Sequence, residues 1–181
     1  MKGLFTALLI VALTVFTFSS VAKAGSLYLY VYDTAGQEVS FNRFKGKPTI
    51  VFVYKKNCAI CLGMLRELDT LKSAAGAEFN IVPVMVENAN TSDARRLFIR
   101  LDIRTLPIYL DKDDVLMTNL GFHVTPMTIL LNADGKVTKK VVGKMNWTGP
   151  FFAEELQELK TGVNINAENK IKGEENVANY E

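Results

Sequence analysis

A run of five residues with no polar alternation, Ile50-Val51-Phe52-Val53-Tyr54, leads through Lys55-Lys56-Asn57 into Cys58-Ala59-Ile60-Cys61, and no other cysteine occurs in the 181 residues. A strand that does not alternate is buried on both faces, as the central strands of helix-covered sheets are. Directly after the cysteines, Leu65, Leu68, Leu71 and Ala75 recur at helical spacing. Arg66, Glu67, Asp69 and Lys72 take the other side, and Gly76 is a stop signal. The pair therefore sits at the seam between a buried strand and a helix start. There the helix dipole and the free N–H groups of the first turn stabilise negative charge, so a cysteine ionises more readily than a free one at pKa about 8.5. This placement predicts redox chemistry, with the thiolate as the attacking species.

Two other uses of a C-x-x-C pair fit the chain less well. Structural tetrahedral zinc takes four ligands, and the single histidine, His123, is far away in sequence. No metal site is expected. A purely structural disulfide here would close so short a loop that little entropy is removed from the unfolded chain.

At the N-terminus Lys2 opens a short positive region, Leu4 to Phe18 is nearly all apolar, and Ala22-Lys23-Ala24 ends it with small residues. This is the pattern of a secretory signal peptide cut after Ala24. The competing reading is a retained anchor, but the run falls short of the roughly 20 apolar residues a spanning helix needs, and Thr6, Thr14 and Thr17 dilute it. No cysteine near the cleavage site offers a lipid attachment point. The expected organisation is a signal peptide at 1–24, one domain at 25–162 and a polar tail at 163–181. That tail, rich in Asn, Glu and Lys, is expected to be disordered or to bind a partner.

Cleavage removes Lys2 and Lys23 and no acid, so 21 basic residues fall to 19 against 19 acidic ones. A neutral mature chain gives no reason to expect nucleic acid or an anionic membrane surface as partner, nor insertion in a membrane after cleavage. Export places the pair in an oxidising compartment, where two cysteines are oxidised unless something supplies electrons.

Along the mature chain, Leu27, Leu29 and Val31 alternate with Tyr28, Tyr30 and Tyr32 as a strand with two different faces, and Asp33-Thr34-Ala35-Gly36 turns it. Val39 to Phe44 is expected to be a short strand and a loop. Phe79 to Val86 is a strand in which Pro83, unable to donate to a ladder, predicts an edge position or an irregularity. Asn90-Thr91-Ser92-Asp93 supplies caps for a helix with Ala94, Leu97, Phe98 and Leu101 on one face. Arg95, Arg96 and Arg100 form its other side, either a solvated face or an anion or partner site. Leu106 to Leu110 is extended and Asp113 to Leu120 a short helix ended by Gly121. Met127 to Leu131 and Val137 to Val142 flank the turn Asn132-Ala133-Asp134-Gly135 as a hairpin. In the last helix Thr148 is the cap, Pro150 sits in the first turn, Phe152, Leu156 and Leu159 share a face, Trp147 staples onto Phe152, and Gly162 marks the exit. The fold class is α/β.

A strand, a C-x-x-C at a helix start, alternating strands and helices, then Thr125-Pro126 before a hairpin and a final helix: this order resembles the thioredoxin superfamily. More narrowly it is similar to the exported TlpA and ResA-like thiol-disulfide oxidoreductases. The resemblance is carried by Asp33 to Gly36, Gly46-Lys47-Pro48, the Ile50 to Cys61 block, Leu106 to Asp111, and Gly121 to Gly135. It implies a thioredoxin-like fold, with a mixed central sheet flanked by helices, an N-terminal β-hairpin and a helical insertion before a cis-proline strand. It also implies that Thr125-Pro126 lies against the cysteines and that Thr125 offers its backbone to an extended substrate segment. Proline suits that place because its cis form costs only about 0.5–1 kcal/mol, and it brings no N–H to compete for the thiolate.

The implied activity is dithiol–disulfide exchange with partner proteins in the periplasm. Cys58 attacks and Cys61 resolves, without metal or organic cofactor. A reductase fed by a membrane-linked electron donor, serving cytochrome c maturation, is the preferred case. Lys55 and Lys56 stand just upstream as candidate cations for the Cys58 thiolate, or as solvated residues. The alternative is a thioredoxin-like copper chaperone using Cys58, Cys61 and His123, because thiolates suit Cu(I). Several positions depart from the family pattern. Asn57 replaces the tryptophan before the first cysteine and Ile60 the proline before the second. Met64 stands where many cytochrome-maturation reductases carry glutamate, with Glu67 a turn further on, and Phe52 where many thioredoxins bury an aspartate.

Overall fold

The computed structural model describes residues 29–75, 77–147 and 149–161. The expected signal peptide at 1–24 and tail at 163–181 lie outside the described residues, as do Leu27, Tyr28, Gly76, Thr148 and Gly162.

Strand β1 (Tyr30–Tyr32) pairs antiparallel with β2 (Glu38–Ser40). The Asp33 side chain shapes the turn between them, accepting the N–H groups of Ala35 and Gln37 at 2.8 and 2.9 Å. The strand ends sooner than Val39 to Phe44 suggests. The Ser40 hydroxyl accepts the Asn42 N–H at 3.3 Å and starts a 3-10 turn, Phe41–Phe44, that buries Phe41.

Five further strands and four helices follow: β3 (Thr49–Tyr54), α1 (Ala59–Ala75), β4 (Asn80–Met85), α2 (Thr91–Leu101), β5 (Tyr109–Leu110), α3 (Val115–Leu120), β6 (Met127–Leu131), β7 (Val137–Val142) and α4 (Pro150–Thr161). They build one mixed sheet in the order β2-β1-β5-β4-β3-β6-β7. β3, β4 and β5 are parallel, while β6 runs antiparallel to β3 and β7 to β6. Every residue of β3 is buried. That agrees with its lack of alternation, because it lies between β4 and β6 and is covered on both faces. Ile50, Phe52 and Tyr54 face the side packed by α1, α2 and α4. Val51 and Val53 face the side packed by α3 and Phe41. Burying each such side chain stabilises the fold by roughly 1.5–3 kcal/mol.

The expectation drawn from Pro83 needs correction. β4 is an interior strand between β3 and β5, not an edge. The Asn80 and Val86 N–H groups bond to β3, through Pro48 O and Tyr54 O. Even-numbered residues of β4 therefore point their N–H groups towards β3, and Pro83 points the other way. On that flank β5 is two residues long and its pairing begins only at Val84. The missing donor falls just beyond the end of the ladder and costs no bond.

The helix faces follow the apolar spacing. Ala94, Leu97, Phe98 and Leu101 of α2 are buried, and the Asn90 side chain caps it by accepting the Asp93 N–H. Trp147 meets Phe152 edge to face, with ring centroids 5.2 Å apart, and also reaches Phe52 at 6.4 Å. The staple thus ties α4 to the strand that carries the cysteines.

Candidate active site

β3 ends at Tyr54, three residues cross from strand to helix, and Cys58 occupies the N-cap position of α1. Its N–H donates to Lys55 O at 3.3 Å, and its carbonyl accepts the Leu62 N–H at 3.1 Å. The Cys58 Sγ accepts the N–H of Cys61 at 3.2 Å, as a serine or aspartate oxygen would at a helix cap. The two sulfurs form a disulfide, with Cα atoms 5.2 Å apart. The two residues differ sharply in environment. Cys58 is half-buried at the surface, whereas Cys61 is 0 % exposed among Phe52, Tyr54, Met64 and Leu65.

Thr125-Pro126 is a cis peptide. It immediately precedes β6, whose first residue, Met127, is the register partner of Val53. β3 therefore leaves the sheet towards the cysteines at the same end at which Thr125-Pro126 enters it. Pro126 is buried and its carbonyl accepts the Gly143 N–H at 2.9 Å, while Thr125 is half-buried and the preceding Val124 is 50 % exposed. Ile60, between the cysteines, is 57 % exposed.

The departures from the family pattern are visible as packing. Phe52 is fully buried and stacked on Tyr54 at 6.0 Å, so the place of a buried acid is taken by an aromatic pair. Met64 is buried and Glu67 is on the exposed side of α1. The surroundings given for Cys61 are apolar.

Lys55 and Lys56 are neither simply solvated nor aimed at Cys58 alone. Lys55 pairs with Glu87, and Lys56 with Asp93, which also pairs with Arg96. The Lys56 ammonium, the Asn90 amide and Arg96 together outweigh partial burial and hold the Asp93 carboxyl at about 2, below the usual carboxylate range. Asp93 reads in sequence only as a helix-start acid. No local signal could connect it to a lysine 37 residues earlier.

His123 is exposed. Among the described residues no group of three or more His, Cys, Asp or Glu is close enough together to hold a metal ion, so His123 is not assembled with Cys58 and Cys61.

Comparison with known proteins agrees with this geometry. The Redoxin family model matches residues 17–161. The sporulation thiol-disulfide oxidoreductase A of Bacillus subtilis is 27% identical over 126 residues, covering 68% of this chain and 72% of that protein. The exposed lipoprotein thioredoxin of Streptococcus pneumoniae superposes with TM-score 0.63 at 21% identity, covering 72% of this chain and 98% of the other. A secreted Mycobacterium tuberculosis disulfide oxidoreductase superposes with TM-score 0.58 at 16% identity, covering 74% and 95%. Fold and cysteine pair define a thioredoxin-like thiol-disulfide oxidoreductase. The chain belongs to the Redoxin family.

Proposed function

We propose that this chain is an exported protein-disulfide reductase. The observation that carries the reading is the unequal placement of the two sulfurs: Cys58 half-exposed at a helix cap with an N–H donor at its Sγ, Cys61 fully buried. In the dithiol form a thiolate on Cys58 keeps that N–H and is the sulfur a partner can reach. It attacks a partner's disulfide, one partner sulfur leaves as thiolate, and a mixed disulfide forms. Cys61 then attacks Cys58, releases the reduced partner and restores the Cys58–Cys61 disulfide. Two electrons and two protons pass to the partner. Thr125 and Pro126 bind the partner's extended segment beside Cys58, and exchange needs no cofactor.

Export is supported by the apolar N-terminal segment ending at Ala24 and by exported relatives, one an exposed lipoprotein and one secreted. No helix among the described residues is long and apolar enough to cross a membrane. Working in the periplasm, the chain takes its electrons from a membrane-linked donor and serves cytochrome c maturation. The test is to express Cys61→Ala in the native host and identify what becomes covalently attached to Cys58. Apocytochrome c is the expected catch; a broad set of secreted proteins would instead point to oxidation or isomerisation.

A further inference from the structure

Beside the cysteines, α2 presents a basic edge that the exchange chemistry itself does not use. A groove of about 350 Å³ is lined by Lys56, Asn57, Asp93, Arg96, Leu97 and Arg100. It begins one residue from Cys58, at Asn57. Its charged lining is three cations and one carboxylate, and that carboxylate is already held by Lys56 and Arg96. Arg100 is exposed and, among the described residues, pairs with no carboxylate. The groove therefore carries positive charge that nothing within the described fold neutralises.

Exposed apolar side chains stand near the same edge. Ile99, next to Arg100 on α2, is 80 % exposed, and Ile60, between the cysteines, is 57 % exposed. Arginine interleaved with apolar side chains is the composition of a polypeptide-binding surface rather than of a site for a free small anion.

We propose that this edge is a specificity surface for the exchange partner: it binds an acidic segment flanking the partner cysteine that pairs with Cys58. The inference rests on the exchange reading above and adds the chemistry of the partner. Carboxylates on the partner meet Arg100, Arg96 and Lys56 while its sulfur meets Cys58. Such complementarity raises the association rate and weakens with salt.

The step can be followed in either direction, and the oxidised protein gives the simpler assay. One thiolate of a two-cysteine peptide attacks Cys58 Sγ, and Cys61 leaves as thiolate. The peptide's second thiolate then attacks the mixed disulfide and releases Cys58. The peptide becomes a disulfide, the protein a dithiol, and two electrons and two protons move to the protein.

The test measures this rate by stopped-flow with the full oxidised chain and three peptides that differ only in the residues flanking the cysteines: acidic, neutral or basic. The acidic peptide should react about tenfold faster than the neutral one at low salt, and the advantage should collapse as salt rises. In Arg100→Glu the acidic peptide should slow to about the neutral rate, with the neutral rate unchanged; Arg100→Gln should give an intermediate value. Equal rates for acidic and neutral peptides in the wild type overturn the proposal, as does an equal slowing of all three peptides in Arg100→Glu. If no peptide reacts at all, the exchange reading has failed, and this proposal with it.

Discussion

The Cys61 backbone N–H donates to the Sγ of Cys58 at 3.2 Å, so the second cysteine caps the first while its own sulfur is buried beneath it. One residue thus supplies both a donor for the outer sulfur and the inner sulfur that competes for it. After reduction, a short pulse of iodoacetamide on the folded chain should alkylate Cys58 and spare Cys61, read out by peptide mass spectrometry. Equal labelling of both would contradict the unequal placement on which the mechanism depends.

Asp93 links the cysteine loop to α2 through Lys56 and gives a pH signature. Its carboxyl is held at about 2 in the folded chain and titrates near 3.9 when unfolded. The unfolded state therefore binds more protons in this window, so the contribution is fully present above about pH 5 and is lost as pH falls towards 2. The stability gap between wild type and Asp93→Asn, from urea unfolding, should be widest near neutrality and shrink steadily over that range. A gap independent of pH would sink the assignment.

Asp69 clamps the segment between α2 and β5. Its carboxylate accepts the N–H groups of Arg104, Thr105 and Leu106 at 3.1, 2.8 and 3.1 Å, and the Thr105 hydroxyl at 2.7 Å. Partial burial works against the charge, but these bonds outweigh it and lower the Asp69 pKa. Because the site is partly solvated, Asp69→Ala should cost about 1–2 kcal/mol in urea unfolding. Asp69→Asn should recover part of that loss.

Phe152 anchors α4 through Trp147 to Phe52, and it is 2 % exposed. Phe152→Ala should lower stability by about 3–5 kcal/mol. A loss below about 1 kcal/mol would mean the staple is not what holds α4 to the sheet.

What sequence reveals here follows the range of each interaction. The buried strand β3, the helix faces of α1 and α2, the β6–β7 hairpin and the Trp147–Phe152 staple are set by neighbours a few residues apart, so periodicity and turn chemistry expose them. Pro83 misleads because its meaning depends on how long β5 is, and β5 is a different segment. Lys55 and Lys56 are ambiguous for the same reason: Glu87 and Asp93 come from beyond the next strand. The cysteine pair was fully legible, as was the proline preceding β6. The network joining Cys58's loop to α2 was not, since no spacing rule connects residues that only the sheet order brings together.

The most direct measurement uses the purified, reduced chain and a single-disulfide protein substrate, with products separated on a non-reducing gel. Cys61→Ala should accumulate a covalent one-to-one complex joined through Cys58 and released by reductant. Cys58→Ala should form none, and the wild type should turn the substrate over without accumulating it. A complex formed by Cys58→Ala through Cys61, or the absence of any complex with Cys61→Ala while the wild type reduces substrate, would contradict Cys58 as the attacking sulfur.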